Sequence, residues 1–406
     1  MNPKQTTIAV SLIGGALLAF SFFQPSQAQR SNADAPIDLL FATGAACGLA
    51  QGGPPLLLSR LIQAQPETAP FRPAQQAPGK PGQATAPLYP DLGKLHIPVS
   101  TRNTRAQAYF DQRMRLTSAF NHAEAARSFR AAQQINPGFA MCYWSEALVL
   151  GPNINAPMFP EAAAPAAAAA AHALKLSATA RPAEQALIRA VSRRYGAGPS
   201  ADRAYADAMT EAARAFFNDA TVLVLFAEAL MDLSPWDYWE AAGSKPKGRT
   251  ADMIDALERV LERNPNHAGA ALYYIHAVEA SSAPENALPA ARVLARQIPG
   301  AGHIVHMASH IYYRIGMYKE TLQSNLDAIA ADEKYFRRSG SDPVYKGAYY
   351  PHNIHFVMVS ALMGGDGKTA LEAAAKLDRA LPAALLQRLR HVAAGQGRTL
   401  FFARAI

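Results

Sequence analysis

Between about residue 100 and residue 380, small and apolar residues gather into segments of helical length, separated by short polar or Gly/Pro breaks. The pattern predicts helices over 103–120, 122–135, 138–150, 160–177, 182–195, 201–217 and 219–232. It predicts seven more over 250–263, 266–281, 284–298, 302–316, 318–336, 351–363 and 366–380. The breaks carry residues that stop a helix: Asn136-Pro137, Gly196 to Pro199, Asn264-Pro265, Pro299-Gly300 and Gly364-Gly365. β-Branched residues do not cluster into alternating runs, so sheet has no support. Helix pairs joined by short turns predict an all-α fold, a solenoid of stacked antiparallel pairs over 101–382.

The flanks read differently. Lys4, the uncharged stretch from Thr6 to Phe23, Pro25 and then Ser26-Gln27-Ala28 have the form of a secretory signal cut after Ala28. An uncleaved anchor is the alternative, because about 18 residues can just span a bilayer. With cleavage, no stable membrane span remains. Residues 29–100 read as a disordered leader and linker, since Pro66, Pro70, Pro73, Pro78, Pro81, Pro87, Pro90 and Pro98 interrupt every helix there. Residues 383–406 form a C-terminal tail. An exported protein, periplasmic or secreted, is expected.

Composition narrows the functional classes. The chain has 406 residues, half of them hydrophobic, and a net charge of +8. Its basic residues are dispersed, the tightest pairs being Arg193–Arg194 and Arg337–Arg338, so nucleic acid is not an expected partner. Cys47 and Cys142 are the two cysteines, and they read as free thiols, a disulfide between them in an oxidising compartment being the alternative.

Ala125, Phe129, Ala132 and Pro137 have the spacing of the second helix of a tetratricopeptide (TPR) repeat, where small residues allow close packing and a proline ends the helix. The chain resembles TPR proteins in this, and departs from them where the repeat's small glycine position falls on Arg113. The segments AFNHAEAARSF, ALVLGPNINAPM, ALMDLSPWDYW, YYIHAVEAS, GAGHIVHMASHIY and YYPHNIH together resemble a family of exported bacterial TPR proteins over roughly residues 92–365. The resemblance implies fold and export. It supplies no activity.

Seven of the eleven histidines lie between His267 and His355. His303, His306 and His310 occupy an arc of roughly 60° on one helix face. His352 and His355 are three apart, and His276 sits mid-helix with Tyr273 and Glu279 three residues to either side. All six, His276, His303, His306, His310, His352 and His355, fall on the first helices of three consecutive pairs. In TPR-type stacking those helices line the concave face, so six imidazoles are expected to converge on one groove. Imidazole without thiolate suits a transition metal such as Cu or Zn. In a metalloenzyme version, Glu279 or Tyr273 would be the proton-transfer partner. The competing reading is a scaffold that grips a peptide or partner protein in the groove, with structural histidines.

The remaining features read as structure. The aromatics of Pro235-Trp236-Asp237-Tyr238-Trp239 pack under a loop, Gly151 to Asn155 is a turn, and Asn121 and His267 cap helices. His122 and Glu124 would join the histidines only if the array of pairs curled back on itself. For export, mass spectrometry of the mature protein should place its N-terminus at or near Gln29. An intact Met1 in a soluble cytoplasmic fraction would refute it.

Overall fold

The computed structural model describes residues 86–381, apart from 197 and 340–343. The signal, most of the leader, Cys47 and the C-terminal tail lie outside the described residues. Among the described residues there are fourteen α-helices and no strands, only two isolated bridges. The fold is all-α. In chain order the helices are α1 (Thr104–Ser118), α2 (His122–Ile135), α3 (Ala140–Leu150), α4 (Pro160–Leu176), α5 (Pro182–Arg194), α6 (Ala201–Ala215) and α7 (Ala220–Met231). They continue with α8 (Thr250–Arg263), α9 (Ala268–Val278), α10 (Leu288–Gln297), α11 (Gly302–Arg314), α12 (Tyr318–Arg338), α13 (Tyr350–Met363) and α14 (Gly367–Ala380). Each packs on the next, forming seven adjacent pairs from α1–α2 to α13–α14.

Side-chain pattern decides which helix of a pair lies inside. The second helices bury one stripe, such as Met253, Ala256, Leu257 and Val260 of α8, or Ala370, Ala373 and Leu377 of α14. The first helices α3, α7, α9, α11 and α13 are buried over most of their residues, and every residue of α9 is buried. On α11 all but Tyr312 and Arg314 are buried. These first helices also touch one another in sequence, α7 on α9, α9 on α11 and α11 on α13.

The array does curl back. α9 packs on α1, and the Tyr335 hydroxyl of α12 donates to Glu124 Oε2 of α2 at 3.1 Å. The Phe120 ring, in the turn between α1 and α2, lies 5.1 Å from His303 and 6.1 Å from both His276 and Tyr349. Phe120 holds a left-handed φ of 52°, a conformation that a bulky residue adopts only when its surroundings fix it. This return fills the space expected to be a concave groove.

Residues 86–100, assigned to the linker by their prolines, are part of the folded unit. Proline excludes a helix but not an extended strap. Here the strap's backbone is bonded by polar side chains of α1: Gln112 accepts from Tyr89 N at 2.7 Å, Asp111 accepts from Ile97 N at 3.0 Å, and Arg115 donates to Leu95 O at 2.9 Å. The strap then reaches distant helices. Glu184 of α5 accepts from Ser100 N at 2.9 Å, and Asp91 pairs with Lys334 at 2.6 Å and Arg338 at 3.0 Å on α12. Arg113, in the place a TPR repeat gives to a small residue, is fully buried with its guanidinium over the rings of Phe110 and Phe129.

One close approach positions the helix that carries three histidines. A Cβ on Gly302, the first residue of α11, would fall inside the Asp332 carboxyl and 2.6 Å from Ala328 O. Gly302→Ala should therefore push α11 off α12 and destabilise the protein by about 1–3 kcal/mol, the usual range for overpacking. Gly367→Ala, where a Cβ would meet nothing within 4 Å, is the control. Chemical denaturation of both variants measures the difference. Equal midpoints would overturn the packing argument.

Candidate metal centre

Five of the six predicted histidines form one cluster. His306 and His310, one helical turn apart on α11, have ring centroids 4.7 Å apart. His352 of α13 lies 4.8 Å from His306 and 6.0 Å from His310. His303 is 5.8 Å from His306, and His276 of α9 is 6.1 Å from His310 and 6.3 Å from His303. None of these residues is more than 2% exposed. Nitrogens of His306, His310 and His352 all come within 4.8 Å of one another, and these three are the group able to hold an ion among the described residues. His355, also buried on α13, is not in that group. The imidazoles thus converge as expected, in a closed interior rather than an open groove.

Hydrogen bonds fix the tautomers of the central pair. Asn325 donates its Nδ2 to Thr321 O at 2.7 Å, so its Oδ1 is the atom that faces His306 Nδ1 at 2.6 Å. His306 must donate from Nδ1. Glu279 Oε2 lies 2.6 Å from His310 Nδ1, and an ionised carboxylate again requires the ring to donate from Nδ1. The two Nε2 atoms then both present lone pairs, and they stand 2.8 Å apart. Two facing lone pairs repel unless a cation, a proton or a metal ion, lies between them. Ligating histidines are usually held this way, with the distal N–H on a carboxylate or amide oxygen.

Burial governs the titration of the cluster. It holds His276, His303, His306 and His352 well below the ordinary imidazole range, and neighbouring imidazoles push in the same direction. His355 is lowered to about 3 by burial alone. These rings are therefore neutral and available as ligands at neutral pH. Among the described residues, His276 and His303 have no hydrogen-bond partner at any of their four ring nitrogens, and Glu279 Oε1 has none either.

The other sequence candidates have separate places. Tyr273 is buried, and after desolvation the charges acting on its hydroxyl are those of Glu228 and Asp232. Those two carboxyls form a second buried group with Arg194, which bonds Asp232 at 2.7 Å. Trp236, expected to pack under a loop, donates to Ile154 O at 2.6 Å and also sets its ring edge-on to His276 at 4.9 Å. Asn155 N donates to Asn153 Oδ1 at 2.9 Å in the expected turn, and Asn155 Nδ2 also donates to the Tyr349 hydroxyl at 3.3 Å. His267 caps α9 by accepting from Ala270 N at 3.1 Å, and Asn121 caps α2. His122 stacks on Phe120, 5.9 Å away, and burial lowers it to about 4.

The supporting residues come from places the histidine pattern does not mark. A π-helical turn (Tyr345–Tyr349) runs directly into α13. Its Tyr345 hydroxyl accepts from His303 N at 3.1 Å and donates to Asp332 Oδ1 at 2.8 Å, while Asn353 Nδ2 donates to Asp332 Oδ2 at 2.8 Å. Tyr349 closes on His303 at 5.0 Å. Thr321, Asn325, Ala328 and Asp332 form the buried stripe of α12, and polar residues at core spacing were the signal that could have revealed Asn325 and Asp332.

No family model matches this chain, and no curated protein matches it.

Burial raises the Asp332 carboxyl to about 7, against hydrogen bonds that favour its charged form. A raised folded-state value means that its contribution is fully present below about pH 4, the unfolded value, and is lost as pH rises to about 7. Relative to Asp332→Asn, wild type should therefore lose stability across that window, with a slope of about 1.4 kcal/mol per pH unit. Denaturation midpoints of both proteins from pH 4 to 7.5 test the sign. A constant difference would show that Asp332 is ionised throughout.

Proposed function

We propose that this chain is an exported, TPR-type helical protein whose interior holds one transition-metal ion through His306, His310 and His352. The observation that carries the reading is the pair of Nε2 lone pairs 2.8 Å apart, each ring pinned from behind by Asn325 or Glu279. Two nitrogens on one tetrahedral ion at 2.0–2.1 Å stand roughly 3.3 Å apart. The rings need to part by only about half an ångström to admit it. A donor set of three imidazoles suits Zn or Cu better than Ca or Mg.

Glu279, a candidate proton-transfer group by sequence, acts in this reading on His310, orienting it and adding a negative charge beside the ion. Burial of the cluster favours a metal over a peptide, because a peptide site needs histidines spread along an accessible channel. The resident ion would polarise a bound molecule or cycle its own charge. The protein's part is to keep His306 and His310 in their tautomers and to exclude water.

Protein prepared without a histidine tag should contain about one equivalent of Zn or Cu after reconstitution and desalting. His306→Ala and His352→Ala should each weaken binding at least about tenfold, roughly 1.4 kcal/mol, with helicity retained. His172→Ala, on the exposed face of α4, should not. Added metal should raise the wild-type melting midpoint, since a ligand at 100 times its Kd contributes about 2.7 kcal/mol. A metal-free protein whose midpoint ignores Zn and Cu would leave the shared proton as the cation and sink the proposal.

A further inference from the structure

The cluster holds more polar surface than three ligands use. His276 and His303 are fully buried, and each flanks one ligand ring, His276 beside His310 at 6.1 Å and His303 beside His306 at 5.8 Å. Whatever its charge, an imidazole carries at least one N–H. Leaving such donors unpartnered in a dry interior is costly, so an acceptor belongs with them. Neither ring has a partner among the described residues.

Two further observations say what kind of acceptor. Three protein ligands leave a divalent ion with open coordination, as in sites that bind an exogenous molecule. The carboxyl bonded to His310, Glu279, can balance at most half of a divalent charge. The next carboxyl, Asp332, is engaged by Tyr345 and Asn353. One positive charge remains in a medium that stabilises it poorly. The side chains packed on these two histidines are rings: Phe120 at 5.1 Å and Tyr349 at 5.0 Å from His303, and Trp236 at 4.9 Å from His276. A ligand that joins them must be small and stripped of water, because such neighbours exclude a large or strongly hydrated one.

We infer that the centre takes a small monovalent anion of two or three heavy atoms beside its metal ion, held by the ring N–H groups of His276 and His303. This rests on the metal-site reading and names the class of molecule that site would bind. A second cation at the same two histidines is the competitor. It loses because two divalent ions a ring's width apart would share one carboxylate and repel strongly in a water-poor core.

Azide, a linear three-atom anion, is the probe. The full chain is loaded with Co(II), its metal content measured, and its visible spectrum followed during azide titration. One cobalt per chain and a saturable spectral change are expected. His276→Phe and His303→Phe should each keep one cobalt and weaken azide at least tenfold. A stoichiometric cobalt protein whose spectrum azide leaves unchanged overturns the inference while the metal site stands, and that result needs no variant to fold. Azide binding unchanged in both variants overturns it as well, as do two cobalt ions per chain with one lost on substitution. If no cobalt binds, the metal-site reading fails, and the inference falls with it.

Discussion

Asp332 lies where the helices carrying the cluster meet. Its carboxyl accepts from the backbone at Gly302, from the Tyr345 hydroxyl and from Asn353 Nδ2. Through those contacts α12 fixes the start of α11, the π turn and the first turn of α13. The carboxylate also sits at the positive end of α11, where the helix dipole favours it. Without that junction His303, His306 and His310 would have no fixed register against His352. The cluster depends on a side chain that is not one of its histidines.

A second buried ionisable group makes a useful contrast. Glu228 and Asp232 are raised by burial, Asp232 to about 6, yet Arg194 bonds Asp232 and lies 4.0 Å over the Tyr205 ring. That set carries its own cation. In the histidine cluster the bonded neighbours of His306 and His310 include Asn325, Glu279 and each other, and the two Nε2 atoms face at 2.8 Å. Similar burial surrounds an ion pair in one place and two facing imidazole nitrogens in the other, because the partners differ.

Much of the helix pattern was legible because it follows from periodicity and punctuation. All fourteen predicted segments appear, most with ends shifted by only a residue or two. The convergence of His276, His303, His306, His310 and His352 was legible for the same reason, since it needs only that first helices lie side by side. What escaped had no period to announce it. The strap 86–100 is stabilised by single hydrogen bonds to Gln112, Asp111 and Arg115, and proline content argued the other way. Phe120 closes the interior from a turn, and Asn325 and Asp332 act from a second helix that carries no histidine. His355 shares a face with His352 in sequence, but helical spacing alone cannot say which of two neighbours reaches a common point.

The contact between Tyr335 and Glu124 joins residues 211 apart in the chain. In an open row of repeats each unit touches only its neighbours, so ends fray independently and folding can start anywhere. Here the first and later pairs support one another through that contact, the Phe120 ring and the Asp91 ion pairs. Closing so long a loop has an entropic cost before any contact is returned, and folding should be correspondingly slow. Once closed, the pairs from α1 to α12 are tied together at both ends, and their opening becomes a concerted event rather than a progressive one.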